Sequence, residues 1–251
     1  MELTLYGLNV WAAALVFARL GAMMSVLPGF AEPSVPARLR LGIALALTVV
    51  MAPGLAPGLP VAPGDPWLAG QMVMTEVIIG LTIGSLARLL FTALATAGQV
   101  FGAETGLAFA QTADPTMNQT GQIFSVFLSL LGVTLLFVTN LHHVFLEGLG
   151  RSYETFVPGQ PLLIGDAADM AVAMVSESFR IGVQIGAPII LAGLIFRVGL
   201  GVLARLAPTI QVFFVTMPLS VLGGFIIMAL GLSSGMILWL DALQAHAVQF
   251  P

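Results

Sequence analysis

The chain has 251 residues, of which 58% are hydrophobic and 8% are charged, and its net charge is −4. Average soluble proteins carry roughly 25% charged residues, so this chain cannot cover a water-facing surface and is not expected to be a soluble enzyme. All eight Lys or Arg positions are arginine, without a dense basic stretch, which argues against nucleic-acid binding. The lack of cysteine excludes disulfides and thiolate metal sites.

The hydrophobic residues fall into about six long segments separated by short polar gaps. A helix needs about 20 largely apolar residues to cross a bilayer. We therefore predict an all-α fold class, a polytopic membrane protein of about six hydrophobic, partly kinked helices arranged as hairpins. One membrane domain is expected over residues 1–251.

The first two predicted spans are separated by a proline-rich stretch. Span one covers about residues 5–27, and because no basic region precedes it, we read it as a retained span and not a cleaved signal peptide. Residues 28–40 contain three prolines and three charges that break the helix. Span two covers about residues 41–55, and Pro53 and Pro57 are expected to end it.

The third apolar region runs from residue 67 almost to residue 110, which is too long for one simple crossing. We predict a long helix to about Gln99, followed by a broken or re-entrant piece. Polar residues 111–122 come next. A fourth span is predicted at residues 123–138, and residues 139–151 are a candidate extension of that helix.

The C-terminal part contains two more predicted spans. Residues 151–176 are hydrophilic and are read as a loop plus the start of a helix. Span five covers about residues 179–203. The last span covers about residues 210–240, where Pro218 is expected to introduce a kink.

The arginines predict an orientation. Arg38 and Arg40 lie in the first loop, and Arg205 lies in the last. The positive-inside rule places both loops in the cytoplasm and both termini outside.

Three charges lie inside apolar segments, where a charge is costly unless it is paired or hydrated: Arg19, Glu76 and Arg88. Glu76 and Arg88 are twelve residues apart and cannot touch on one straight helix, so each needs another partner. Two interpretations stay open, a functional one (a water-filled conduit or a buried ion pair) and a segment end outside the bilayer core.

Glycines four residues apart allow close helix packing in lipid, although some such pairs arise by chance. They are Gly80/Gly84, Gly98/Gly102/Gly106, Gly182/Gly186 and Gly231/Gly235. The stretch 102–122 is rich in glycine and then polar, and two interpretations are open. If it lies at membrane depth, its irregular backbone must be buried in protein or line a water-filled cavity, as in a pore loop. Otherwise it is an ordinary exposed loop.

Four segments, in order along nearly the whole chain, resemble the family of the flagellar biosynthetic protein FliR. They are LPGFAEPSVPARLRLGIALAL at residues 27–47, GQVFGAETGLAFAQTADP at 98–115, TNLHH at 139–143 and GLGVLARLAPTIQVFFVTMPLSVLGG at 199–224.

The resemblance implies a structural channel subunit of the flagellar type III export gate, in the bacterial inner membrane at the flagellar basal body. With FliP and FliQ it would form the conduit for unfolded flagellar subunits, and FlhB would bind at the cytoplasmic side. It implies neither an enzyme nor a cofactor, and we predict no catalytic or metal-binding residues. It also implies that much of the assembly is lifted above the bilayer plane, and that the last hairpin, about residues 176–241, is FliQ-like with its turn at Arg205.

The resemblance also implies a loop, about residues 106–122, that helps to plug the closed channel. Thr112 and Ala113 stand where the family often has aromatic residues, so this sequence does not predict a seal made of stacked aromatics. The predicted plug residues are Gly106, Phe109, Gln111, Thr112, Asp114, Pro115, Asn118 and Gln122. The predicted helix-packing or partner-contact residues are Arg38, Arg40, Glu76, Arg88, Gly98, Gly102, Arg205, Pro208 and Pro218.

Three other functions compete with this interpretation. The equivalent gate subunit of a virulence injectisome is the closest, and VPARLR and NLHH favour the flagellar version. A secondary transporter is less favoured because the two halves show no convincing internal repeat. An intramembrane enzyme lacks a plausible paired nucleophile and base.

Overall fold

The computed structural model describes residues 4–5, 8–107, 123–160, 164–206 and 212–247. Two short antiparallel strands, β1 (Thr4–Leu5) and β2 (Leu8–Asn9), precede the helices. The helices of the described residues are α1 (Val10–Val26), α2 (Ala37–Leu55), α3 (Pro66–Glu104), α4 (Ile123–Val138), α5 (Leu141–Thr155), α6 (Ile164–Leu206) and α7 (Val212–Ala247). The all-α polytopic fold class is confirmed.

Helix α1 is shorter than the predicted first span. The side chain of Asn9 accepts hydrogen bonds from the backbone N–H groups of Trp11 and Ala12, at 3.0 and 3.2 Å. An Asn cap of this kind satisfies N–H groups that have no partner within the helix, and so it fixes the helix start. The 17 residues of α1 are too few for the crossing that we expected from residue 5 onward.

Helix α2 ends where span two was predicted to end, at Leu55, although it continues past Pro53. Pro53 lies inside the helix, which ends at Leu55. A proline this close to the end removes one N–H bond from the last turn, so the helix can still finish. Pro57 lies in the 3₁₀ turn Ala56–Gly58 that follows directly.

Helix α3 is one continuous helix of 39 residues, about 58 Å long at about 1.5 Å per residue. It extends five residues beyond the predicted end at Gln99. Gly106 follows it with a φ of 78°, a left-handed conformation that glycine adopts without strain and that commonly ends helices.

Helices α4 and α5 do not form the straight extension that we considered. Asn140 has a φ of 58°, and the axes of the two helices differ by 72°. Asparagine tolerates the left-handed region better than most residues, and this backbone conformation turns the chain between the two helices.

Helix α6 begins at Ile164, within the stretch 151–176 where the sequence predicts the start of a helix, and it continues through the predicted span five. The hydrophilic stretch 151–176 is therefore divided between the end of α5, the turn after it and the first turns of α6. Pro218 lies inside α7, and its kink stays a prediction.

In the part of the chain that the structure describes, four helices could cross a membrane by length and composition: α2 (with the turn after it), α3, α6 and α7. The bent α4–α5 pair would be a fifth span, and α1 is a shorter apolar helix. These amount to the six hydrophobic segments that the sequence predicts.

The chain divides into two compact units. The first comprises residues 1–89, 136–174 and 244–251, and the second comprises residues 90–135 and 175–243. That residues 1–251 act as one export-gate domain stays a prediction.

Candidate functional site

In the first unit, α1 and α3 bring together two of the charges noted in the sequence. The side chains of Arg19 and Glu76 are both fully buried. Arg19 Nε donates to Glu76 Oε2 at 2.6 Å, and Arg19 Nη2 donates to Oε1 at 3.1 Å. This two-point geometry is the strongest form of an arginine–carboxylate pair.

Helix α5 supplies the remaining partners of Arg19. Arg19 Nη1 donates to Ser152 Oγ at 2.9 Å, and Nη2 donates to the carbonyl of Phe156 at 2.8 Å. Phe156 is the C-terminal cap of α5, where partial negative charge collects. The guanidinium carbon also lies 3.7 Å from the centre of the Tyr153 ring, a cation–π contact. One arginine therefore ties three helices together.

Two glycines bring α1 close enough to α3 for this pair to form. A Cβ at Gly80 would overlap the carbonyl of Arg19, and a Cβ at Gly84 would lie 2.7 Å from the carbonyl of Met23. The four-residue step is the same on both helices. The glycines thus allow backbone contact one and two turns beyond Glu76.

For Arg19 and Glu76, the geometry decides between a buried ion pair and a helix end exposed to water. Arg19 and Glu76 form a buried ion pair within the chain, and neither is a span end exposed to water. Arg88 is exposed instead, and its Nη1 lies 3.4 Å from the carbonyl of Val26, the last residue of α1.

In the second unit, Trp239 of α7 is fully buried against α3. Its indole N–H donates to the carbonyl of Leu90 at 3.0 Å, and its ring packs edge-on against Phe91 with centroids 4.9 Å apart. A Cβ at Gly132 of α4 would meet the side chains of Leu94 and Trp239. The glycine leaves the space that these large side chains occupy.

The end of α3 contains a second ion pair between helices. Glu104, the last residue of α3, accepts from Nη2 of Arg197 on α6 at 2.8 Å. A hydroxyl bond from α7 lies beside it, since Ser220 Oγ donates to the carbonyl of Thr105 at 2.9 Å. The sequence does not reveal this pair, because Arg197 lies 93 positions from Glu104.

The other predicted contact residues lie in different surroundings. Both arginines of the predicted first loop lie in the first turn of α2. Arg38 is exposed, whereas Arg40 is half-buried and donates to the carbonyl of Phe30, in the turn before α2, at 2.9 Å. Arg205 is exposed in the last turn of α6, and Pro218 is exposed on α7.

Two predicted packing glycines of α3 are buried. A Cβ at Gly98 would overlap the backbone of Ser125 on α4, and the carbonyl of Gly102 accepts from Thr105 Oγ1 at 3.2 Å. The sequence signal for Gly98 was its four-residue glycine spacing.

Of the predicted plug residues, the structure describes Gly106. The others, and Pro208, lie outside the described residues: Phe109, Gln111, Thr112, Asp114, Pro115, Asn118 and Gln122. Within the described part of the chain, no three or more His, Cys, Asp or Glu side chains cluster as metal ligands would.

Sequence comparisons find relatives of this chain among bacterial export proteins. A model of the family described as bacterial export proteins, family 1, matches residues 10–246. The flagellar biosynthetic protein FliR of Caulobacter vibrioides is 41% identical over 233 residues, which cover 93% of each chain. FliR of Escherichia coli is 31% identical over 84% of this chain and 80% of its own. The Yop proteins translocation protein T of Yersinia pestis is 26% identical over 72% of this chain and 70% of its own.

Proposed function

This chain belongs to family 1 of the bacterial export proteins, and from that membership we propose that it is a structural channel subunit of the flagellar type III protein export gate. With FliP and FliQ it forms the conduit through which unfolded flagellar subunits cross the inner membrane. The observation that carries this proposal is the 41% identity to a FliR over 93% of both chains. Two chains that match to this extent are expected to share one architecture.

The exposed apolar surface supports a subunit that works inside an assembly. Only 6% of the most apolar window of α6 is buried within the chain, against 56% for α3. Exposed side chains of α6 include Leu191, Leu194 and Ile195. Apolar surface of this extent needs lipid or partner proteins to cover it.

We assign FliQ to the outer side of α6 and α7, around the exposed Arg205 end, because these two long apolar helices form the FliQ-like hairpin of the resemblance. FlhB is assigned to the cytoplasmic side of the gate. Neither partner interaction requires a cofactor or a catalytic group on this chain.

Co-purification tests the proposal directly. The chain is co-expressed with its FliP and FliQ counterparts in mild detergent, and the purified particle is weighed by native mass spectrometry. We expect a discrete mixed complex that contains this chain and gives the stoichiometry. A stable particle of this chain alone would contradict the proposal and favour an independent transporter.

The polar loop provides a second prediction. Deletion of residues 107–122 from the assembled gate is expected to raise ion leakage, because we propose that this segment closes the conduit. The measurement is the rate of proton leak into vesicles that contain the purified gate and an entrapped pH dye. Leakage equal to that of the unaltered gate would contradict the plug role.

The match to a Yop translocation protein T keeps the injectisome subunit as the alternative. The lower identity, 26% against 41%, favours the flagellar system. Restored swimming in a bacterium that lacks its own FliR would support the flagellar assignment, and restored injectisome secretion alone would overturn it.

A further inference from the structure

The last turn of α3 is bound to α6 through a site that a glycine keeps open. Glu104 is paired with Arg197, and the carboxylate side chain is only 15% exposed. Gly193 lies one turn before Arg197 on α6, and a Cβ there would overlap Glu104 Oε2. The pair therefore occupies a space that α6 leaves for it.

The next residue, Thr105, follows α3 directly and is bound to α7 by an independent contact. Ser220 Oγ donates to the carbonyl of Thr105, and a Cβ at Gly224, one turn further along α7, would overlap the Thr105 methyl group. Thr105 Oγ1 also donates to the carbonyl of Phe101 at 2.8 Å within α3. Thr105 is 1% exposed. Helices α6 and α7 therefore hold two adjacent residues, Glu104 and Thr105.

These restraints stop at the next residue. Gly106 has a φ of 78°, and among the described residues nothing lies within 4 Å of the position that a Cβ would take. The described chain thus changes from a buried residue bound to α7 to a glycine without such a contact. The two contacts at Glu104 and Thr105 fix the end of α3.

We propose that Glu104, Arg197, Thr105 and Ser220 form a clamp that fixes the end of α3 in the assembled gate and holds the closed conduit tight. This inference rests on the proposed channel function and adds a positioning role for residues outside the loop. Arg197 is 61% exposed on α6, so the ion pair is partly exposed within the chain.

Three substitutions open the clamp in different ways. Glu104→Gln and Arg197→Gln each remove one charge, and Gly193→Ala keeps both charges but displaces the carboxylate. Each is expected to raise proton leak through the purified gate in dye-loaded vesicles by about threefold, the equilibrium shift that loss of a partly exposed ion pair produces. Ser220→Ala tests the α7 contact and is expected to act in the same direction.

The double variant E104Q/R197Q should leak no more than either single variant, because both singles remove the same interaction. Arg180→Gln is the matched control, since Arg180 pairs with Glu177 on α6 itself, and it should leave the leak unchanged. Native mass spectrometry should show equal assembly for all variants, which separates positioning from folding.

Deletion of residues 107–122, measured in the same vesicles, separates a failure of the clamp from a failure of the proposed channel closure. If the deletion raises the leak and the clamp variants match the Arg180→Gln control, the clamp is overturned and the channel function stands. If neither the deletion nor the clamp variants leak more than the unaltered gate, the proposed closure fails as well.

Discussion

Replacing Arg19 with methionine is expected to destabilise the chain by about 3–5 kcal/mol, the cost typical of removing one partner of a buried ion pair. Glu76 would be left fully buried without its counter-charge. Ser152 and the carbonyl of Phe156 would also lose a donor. The thermal midpoint of the purified gate assembly, followed by tryptophan fluorescence, should fall by roughly 10 °C.

The matched control is Arg151→Met in the same unit. Arg151 pairs with Glu147 at 2.9 Å, but both side chains are largely exposed, at 45% and 64%. Exposed pairs contribute at most about 1 kcal/mol, so this variant should melt close to the unaltered protein. A similar fall for both arginine variants would contradict the special role of the buried pair.

The double variant R19M/E76M sharpens the test, because it removes both charges and leaves neither buried alone. We expect it to be more stable than R19M, since apolar replacements of a buried pair are often neutral. The stability of Arg19→Lys should lie between those of R19M and the double variant, because lysine keeps the charge but lacks the planar fork that makes all four hydrogen bonds of Arg19. Additive losses in the double variant would show that the two residues do not act as a pair.

The sequence shows that Arg19 and Glu76 each need a partner, but it does not show that they are partners of each other. The need follows from the cost of a charge in an apolar segment. The two residues are 57 positions apart, and no periodicity connects them. Their contact depends on how α1 crosses α3, which the glycines at 80 and 84 permit but do not specify.

The spacing of the glycines also failed to predict which of them contact another helix. Gly80 and Gly84 lie at a close helix crossing, whereas a Cβ at Gly231 or Gly106 would meet nothing within 4 Å. Spacing on one helix reveals which glycines share a face. It does not reveal whether another helix covers that face, because tertiary packing decides this.

The sequence predicts a helix boundary correctly where an apolar run begins and ends clearly. It does not predict a boundary that depends on the backbone conformation of one residue. The span at residues 123–138 has the bounds of α4. The 72° turn after it depends on the left-handed backbone of Asn140, and a single asparagine is too common to mark such a turn in advance. The ion pair of Glu104 and Arg197 joins two helices that are far apart in sequence, so only the folded chain reveals it.

The packing of α3 against α4 leads to the second large effect. Gly98→Val is expected to destabilise the assembly by about 3 kcal/mol, the upper range for an overfilled core. A Cβ at Gly98 would overlap the backbone of Ser125 and Phe124, and backbone cannot rotate away as a side chain can. The nearby bond from Ser125 Oγ to the carbonyl of Ala95, at 2.9 Å, would be strained as the helices separate.

Gly70→Ala, in the same helix, is expected to stabilise the assembly where Gly98→Val destabilises it. A Cβ at Gly70 would meet nothing within 4 Å, so alanine there should gain about 0.5–1 kcal/mol from its higher helix propensity. The two variants should therefore shift the thermal midpoint of the assembly in opposite directions, although both replace a glycine of α3. A fall for Gly70→Ala as well would mean that a partner subunit packs against that glycine. Unchanged melting of Gly98→Val would mean that α3 and α4 can separate without cost, and their close contact would then not hold the second unit together.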